Sequence, residues 1–144
     1  MQILFACAAP RGRKSSASAA CLLARVRRVN NQLIKMEKIS KPVTVDAVSF
    51  DDFVKKHPFA VVDCWSPTCP PCRMLAPVLD ALASKHAGKV VFGKVNFAEP
   101  DNVQIARKFG VEVIPTLLVF KGGKLVDRMV GYKGEDELEK ALGL

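Results

Sequence analysis

Phe59-Ala60-Val61-Val62-Asp63-Cys64-Trp65 runs through Ser66-Pro67-Thr68 into Cys69-Pro70-Pro71-Cys72, and this stretch decides the fold. Its first part is apolar, β-branched and bounded by a Ser-Pro turn, the pattern of a short buried strand. Beyond Cys72, apolar side chains recur at Leu75, Val78, Leu79 and Leu82, which is helical spacing. The two cysteines therefore fall at a strand-to-helix junction, with Cys69 at or near the helix N-terminus. Unpaired N–H groups and the helix dipole favour a thiolate there. A thiolate is the form that attacks a disulfide, and Cys72, three positions along, is close enough to attack in turn.

Other uses of such a pair fit less well. A structural zinc site needs about four ligands, usually as a second Cys or His pair at matching spacing. The remaining cysteines are Cys7, Cys21 and Cys64, and the histidines are His57 and His86, none in such a pattern. A purely structural disulfide is the other bland reading. Cys-x-x-Cys within a strand–helix alternation favours redox chemistry over both.

The chain has 144 residues, enough for one domain with a real core. Its formal charge of +8 suggests nucleic acid at first sight. The distribution argues against that. Residues 1–36 carry seven Lys or Arg and no acid, whereas residues 37–144 carry fifteen basic and fourteen acidic side chains. The aromatic-interleaved basic face of an RNA binder is absent, so no nucleic-acid partner is expected. No stretch reaches the roughly eighteen consecutive apolar residues of a membrane span, so no membrane partner is expected either.

Residues 1–37 read as a disordered basic extension and residues 38–144 as the domain. Met1–Ala9 is apolar, but Arg11, Arg13 and Lys14 follow it, the wrong order for a secretory signal. An Arg-rich, Ser-containing, acid-free segment does suit an organelle transit peptide. Another reading takes Met36 as the true start. The cytoplasm is the expected compartment, with an organelle as the alternative if residues 1–35 are a transit peptide.

Outward from the cysteines, Val43–Val45 reads as a first strand. Ser49 reads as an N-cap with Asp51 and Asp52 in the first helical turn, and Pro58 ends that helix. The cysteine helix is expected over Pro70–His86, capped by Gly88 and kinked at Pro77. Lys89–Phe97 is a Val-rich strand. Glu99–Asn102 is a turn whose Asn102 caps a helix over Val103–Phe109, closed by Gly110. Thr116–Phe120 and Lys124–Val130 form a hairpin through Gly122-Gly123, and Gly134–Leu142 is a final helix. The order β-α-β-α-β-α-β-β-α implies a parallel core with an antiparallel edge. A reactive group at the end of a central strand is where an open α/β sheet places its site.

These landmarks together resemble the thioredoxin family over about residues 40–144. They are a strand ending Asp63-Cys64-Trp65, Cys69-Pro70-Pro71-Cys72, Pro77 in the following helix, and Ile114-Pro115-Thr116 before a hairpin. The resemblance implies an α/β, thioredoxin-like fold with a central five-stranded mixed sheet flanked by four helices. It implies a protein-disulfide reductase that needs no bound cofactor and no metal. Its partners would be disulfide-containing target proteins and a thioredoxin reductase or other dithiol donor. Cys69 and Cys72 fall on the family's catalytic pair, Asp63 on its buried aspartate and Lys94 on the lysine beside it. Trp65, Thr68, Pro70, Pro71, Ile114, Pro115 and Gly131 fall on its target-binding surface, with Pro115 expected cis.

Several residues keep a second reading on the sequence alone. Asp63 is either a desolvated proton carrier or a hydrogen-bonded structural residue. Trp65 is docking or packing, Lys94 functional or merely superficial, and Cys64 a small core side chain. Two departures from the family pattern stand out. Thr68 replaces an exposed aromatic, and Pro70 replaces a glycine, removing an N–H beside Cys69. An oxidase or isomerase of the same fold is the alternative enzyme, and a non-catalytic or metal-holding binding module is the alternative outside catalysis.

Overall fold

The computed structural model describes residues 38–144. The expected extension over residues 1–37 lies outside the described residues. Five strands form one sheet in the order β1-β3-β2-β4-β5. They are β1 (Val43–Thr44), β2 (Phe59–Trp65), β3 (Val91–Asn96), β4 (Thr116–Lys121) and β5 (Lys124–Val130). β3 runs parallel to β1 and β2, while β4 is antiparallel to β2 and β5. Four α-helices complete the domain: α1 (Phe50–Lys56), α2 (Pro70–Lys85), α3 (Val103–Phe109) and α4 (Glu135–Leu142). The expected mixed five-stranded sheet with four helices is therefore the observed one.

Strand alternation sorts the core into two layers. Ala60, Val62 and Cys64 of β2 face one way, into a cluster with Phe50, Phe53 and Val54 of α1 and Ile105 of α3. Val61 faces the other way, among Leu75, Leu79 and Leu82 of α2 and Leu138 and Leu142 of α4. Successive side chains of a strand point to opposite faces. Asp63, two residues after Val61, thus falls on the α2 side of the sheet, although its neighbours in sequence are core residues of the other side. One carboxylate interrupts an otherwise apolar buried strand, and it does so directly behind the cysteine helix.

Several local expectations are corrected. Ser49 does not cap α1 with its side chain. Its hydroxyl and N–H instead bond Asp46 Oδ1 at 2.7 and 2.8 Å, closing the turn before the helix. Asn102 likewise makes no cap bond to α3. It is buried, accepts from the Ala47 N–H at 2.8 Å and donates to the Asn96 carbonyl at 2.9 Å, so its amide ties three loops together. The cysteine helix ends at Lys85, with His86 and not Gly88 as its cap. β3 begins only at Val91, because the Lys89 and Val90 N–H groups still bond the His86 carbonyl. Pro77 sits within α2 without ending it.

Close packing leaves a mark at Gly93. A Cβ there would lie 2.9 Å from the Phe53 ring and 3.1 Å from Val45, so α1 rests on β3 through the missing side chain. Gly93→Val is expected to cost about 1–3 kcal/mol despite its better strand propensity. The check is the denaturant midpoint at unchanged slope; a midpoint equal to that of the parent would contradict the contact.

Candidate active site

The end of β2 sets the site. After Trp65 the chain turns through Ser66-Pro67-Thr68, where the Cys69 N–H bonds the Ser66 carbonyl at 3.2 Å. Ser66 Oγ and Thr68 Oγ1 lie 3.1 Å apart. Arg73, from the first turn of α2, donates from Nε and Nη2 to the Pro67 carbonyl at 3.1 and 2.7 Å. This fork fixes the loop relative to the helix. Nothing in the sequence singled out Arg73 beyond its place immediately after Cys72.

Cys69 is the N-cap of α2. It and Cys72 are joined as a disulfide with Cα atoms 5.3 Å apart, and the Cys72 N–H donates to Cys69 Sγ at 3.3 Å. Proline has no N–H, so with Pro70 and Pro71 at the first two helical positions the donor that this turn offers Cys69 is the Cys72 N–H. Cys69 is 8% exposed against 2% for Cys72, and Pro70 and Thr68 beside it are exposed. The outer sulfur is therefore the one at the helix N-terminus, and the inner one faces the sheet.

Behind Cys72 lies a cavity of about 290 Å³ lined by Asp63, Trp65, Cys72, Arg73, Ala76 and Lys94. Asp63 is buried, and its Oδ1 has no hydrogen-bond partner among the described residues. Burial pushes its carboxyl pKa up to about 7, with the Lys94 charge pulling the other way. Desolvation penalises the ionised form, and here it outweighs the nearby cation. Lys94 is the cross-strand partner of Asp63 in the parallel β2–β3 pair. Its ammonium, however, stands 3.4 Å from Asp80 Oδ1 on α2. Asp80 is exposed and carries no signal in the sequence, because only the fold brings α2 over β3.

The third wall comes from the far side of β2. Cys64 pairs with Thr116, and Thr116 with Val130, so Pro115 and Gly131 fall at the same end of the sheet as the cysteine loop. The Ile114–Pro115 bond is cis. The Gly131 N–H donates to the Pro115 carbonyl at 2.8 Å. Gly131 has φ +88°, a conformation that side chains other than glycine's resist. Trp65 and Ile114 are half-buried and Pro115 is buried. Cys64 is a fully buried free thiol whose pKa burial pushes up to about 12, which leaves it inert at neutral pH. Among the described residues, no group of three or more His, Cys, Asp or Glu side chains is arranged to hold a metal.

The family model for thioredoxin matches residues 41–143. The chain belongs to the thioredoxin family. It is 39% identical over 100 residues to the thioredoxin of Alicyclobacillus acidocaldarius subsp. acidocaldarius, covering 69% of this chain and 93% of that protein. It is 41% identical over 96 residues to the chloroplastic M-type thioredoxin of Pisum sativum, covering 66% of this chain and 55% of that one. Its fold matches the crystal structure of thioredoxin F from spinach chloroplast (short form) with a TM-score of 0.67, at 28% identity over 74% of this chain and 94% of the other. As a thioredoxin it is a thiol–disulfide oxidoreductase, a reductase of protein disulfides, and the cysteine pair at the head of α2 is its redox-active disulfide. Thioredoxins act on disulfide targets and are themselves returned to the dithiol by a reductase.

Proposed function

We propose that Cys69 is the attacking thiol, Cys72 the resolving thiol, and Asp63 the group that takes the Cys72 proton, with Lys94 tuning Asp63. The observation that carries this assignment is the asymmetry of the pair. Cys69 Sγ receives the helix N-terminal donor at 3.3 Å, while Cys72 backs onto the cavity it shares with Asp63, whose Oδ1 has no hydrogen-bond partner among the described residues. In the dithiol state, the Cys69 thiolate attacks a target disulfide. One target sulfur leaves as a thiolate and the other is held in a Cys69–target disulfide. Asp63 carboxylate accepts the proton of Cys72, whose thiolate then attacks Cys69 Sγ. The second target sulfur leaves, and the Cys69–Cys72 bond closes.

Target binding falls to the surface around the outer sulfur. Trp65, Thr68, Pro70, Pro71, Ile114, Pro115 and Gly131 border it, and an extended target segment would pair with the backbone beside Pro115 as an added strand. A thioredoxin reductase or another dithiol donor regenerates the pair. Residues 38–144 carry this chemistry, with residues 1–37 as an appended basic extension; no nucleic-acid or membrane partner is required. The cytoplasm is the compartment assigned. The acid-free tail and the chloroplastic Pisum sativum relative support an organelle as the second reading.

Alkylation of the fully reduced protein tests the assignment of the thiols. Limiting iodoacetamide across a pH series should modify Cys69 first, with a midpoint below the roughly 8.5 of a free cysteine. Peptide mapping reads which sulfur reacted, and earlier modification of Cys72 would reverse the roles.

A further inference from the structure

We propose that Asp80 is a positioning residue of the proton relay: by holding the Lys94 ammonium away from Asp63, it sets the pH at which the Cys72 proton acceptor becomes available. This rests on the role of Asp63 proposed above and extends it to a residue on the outer face of α2.

The geometry is a cation shared between two carboxylates. Lys94 and Asp63 are register neighbours on β3 and β2 and line one cavity. Yet the ammonium sits 3.4 Å from Asp80 Oδ1, while Asp63 Oδ1 bonds nothing among the described residues. Lys94 lies on the α2 side of the sheet, because its neighbours Gly93 and Val95 turn toward α1 and its cluster. From there the flexible side chain can point along the cavity to Asp63 or out to Asp80. Besides Asp63 and Lys94, the cavity is lined by Arg73 and by Cys72, which titrates only in the dithiol state, both from α2. Arg73 is committed to the Pro67 carbonyl. On the remaining side, β1 brings Thr44 opposite Lys94 and no charge.

The two positions of the ammonium have opposite consequences. Beside Asp63 it would favour the carboxylate and depress its titration. Beside Asp80 it leaves Asp63 desolvated and poised near neutrality, where a general base works best. The Asp80 pair is exposed on the Asp80 side, and exposed ion pairs are weak and screened by salt. A small change at Asp80 therefore suffices to redirect Lys94.

The test uses the full-length reduced protein, with the Asp63 midpoint read by carboxyl NMR titration. The pH profile of mixed-disulfide resolution is measured in parallel. Asp80→Asn should lower the Asp63 midpoint by about one pH unit, and Asp80→Glu should restore it. In a Lys94→Gln background, Asp80→Asn should leave the midpoint where Lys94→Gln alone puts it. A shift that survives in that background would mean Asp80 acts directly through space, and the proposal falls. An unmoved midpoint in Asp80→Asn also overturns it, while leaving the acceptor role of Asp63 standing if Asp63→Asn still slows resolution. A moved midpoint with an unmoved rate profile supports the hold of Asp80 on Lys94 and sinks the acceptor role of Asp63 instead.

Discussion

Cys72→Ser is expected to turn the protein into a covalent trap. The serine keeps the backbone N–H that reaches Cys69 Sγ at 3.3 Å, so the outer thiolate retains its donor and its place at the helix N-terminus. Attack on a target disulfide then proceeds, but no second thiol lies behind Cys69 to release the product. The Cys69–target disulfide accumulates and turnover stops. Cys69→Ser also stops turnover and should trap almost nothing, because Cys72 is 2% exposed and faces the Asp63 cavity, out of reach of a protein disulfide. The neighbouring Cys64 cannot substitute in either variant, since burial holds its thiol protonated. Non-reducing electrophoresis of each variant mixed with a disulfide-bonded target reads the result. Abundant adducts from Cys69→Ser would exchange the two roles.

The second large effect belongs to Asp63, and it has opposite signs in rate and in stability. Its carboxyl is raised by burial to about 7 from an unfolded value near 4. The folded state thus binds the proton more tightly than the unfolded chain, and stability falls as pH rises between those values. The loss is complete above about pH 7, and a shift of this size corresponds to on the order of 4 kcal/mol. Asp63→Asn removes that penalty. The variant should therefore be more stable than the parent at pH 8. At pH 4 the parent carboxyl is neutral and the advantage disappears; there the unpaired amide costs about 1–3 kcal/mol. Resolution of the mixed disulfide should meanwhile slow by on the order of 10²-fold at neutral pH. Its dependence on pH should lose the rise near 7 that marks ionisation of Asp63. Thermal melts at the two pH values and stopped-flow resolution rates measure both effects. Superimposable profiles for parent and variant would leave Asp63 a structural residue.

Much of this site is legible in the chain because its parts are punctuated by residues with few alternatives. Cys69 and Cys72 flag themselves, Pro70 and Pro71 mark the start of a helix, and the alternation of Ala60, Val61, Val62 and Asp63 assigns each to a face once the strand is recognised. The cap residues were less legible. Ser49 and Asn102 both sit where a helix begins, but their side chains compete for partners that only the tertiary structure supplies: Asp46 for one, Ala47 and Asn96 for the other. The same holds for Arg73 and Asp80. An arginine following a cysteine and an aspartate on the exposed face of a helix are ordinary surface residues in sequence. They enter the site only because the loop before α2 turns its Pro67 carbonyl toward one and the crossing of α2 over β3 brings Lys94 to the other. The balance at Pro70 also escapes the sequence. The lost N–H removes a donor from the Cys69 thiolate, favouring the disulfide, while two prolines restrict the loop that must accommodate it. The observed turn shows which donor remains to Cys69, that of Cys72.

The central claim is that this pair works as a disulfide reductant, and its reduction potential tests that most directly. The protein would be equilibrated with glutathione buffers of graded poise, and the Cys69–Cys72 disulfide quantified by alkylation and mass spectrometry. A single two-electron transition should appear on the reducing side, within a few tens of millivolts of the value of about −270 mV ordinarily associated with thioredoxin itself. A potential above about −180 mV, in the range of isomerases and oxidases, would contradict the account.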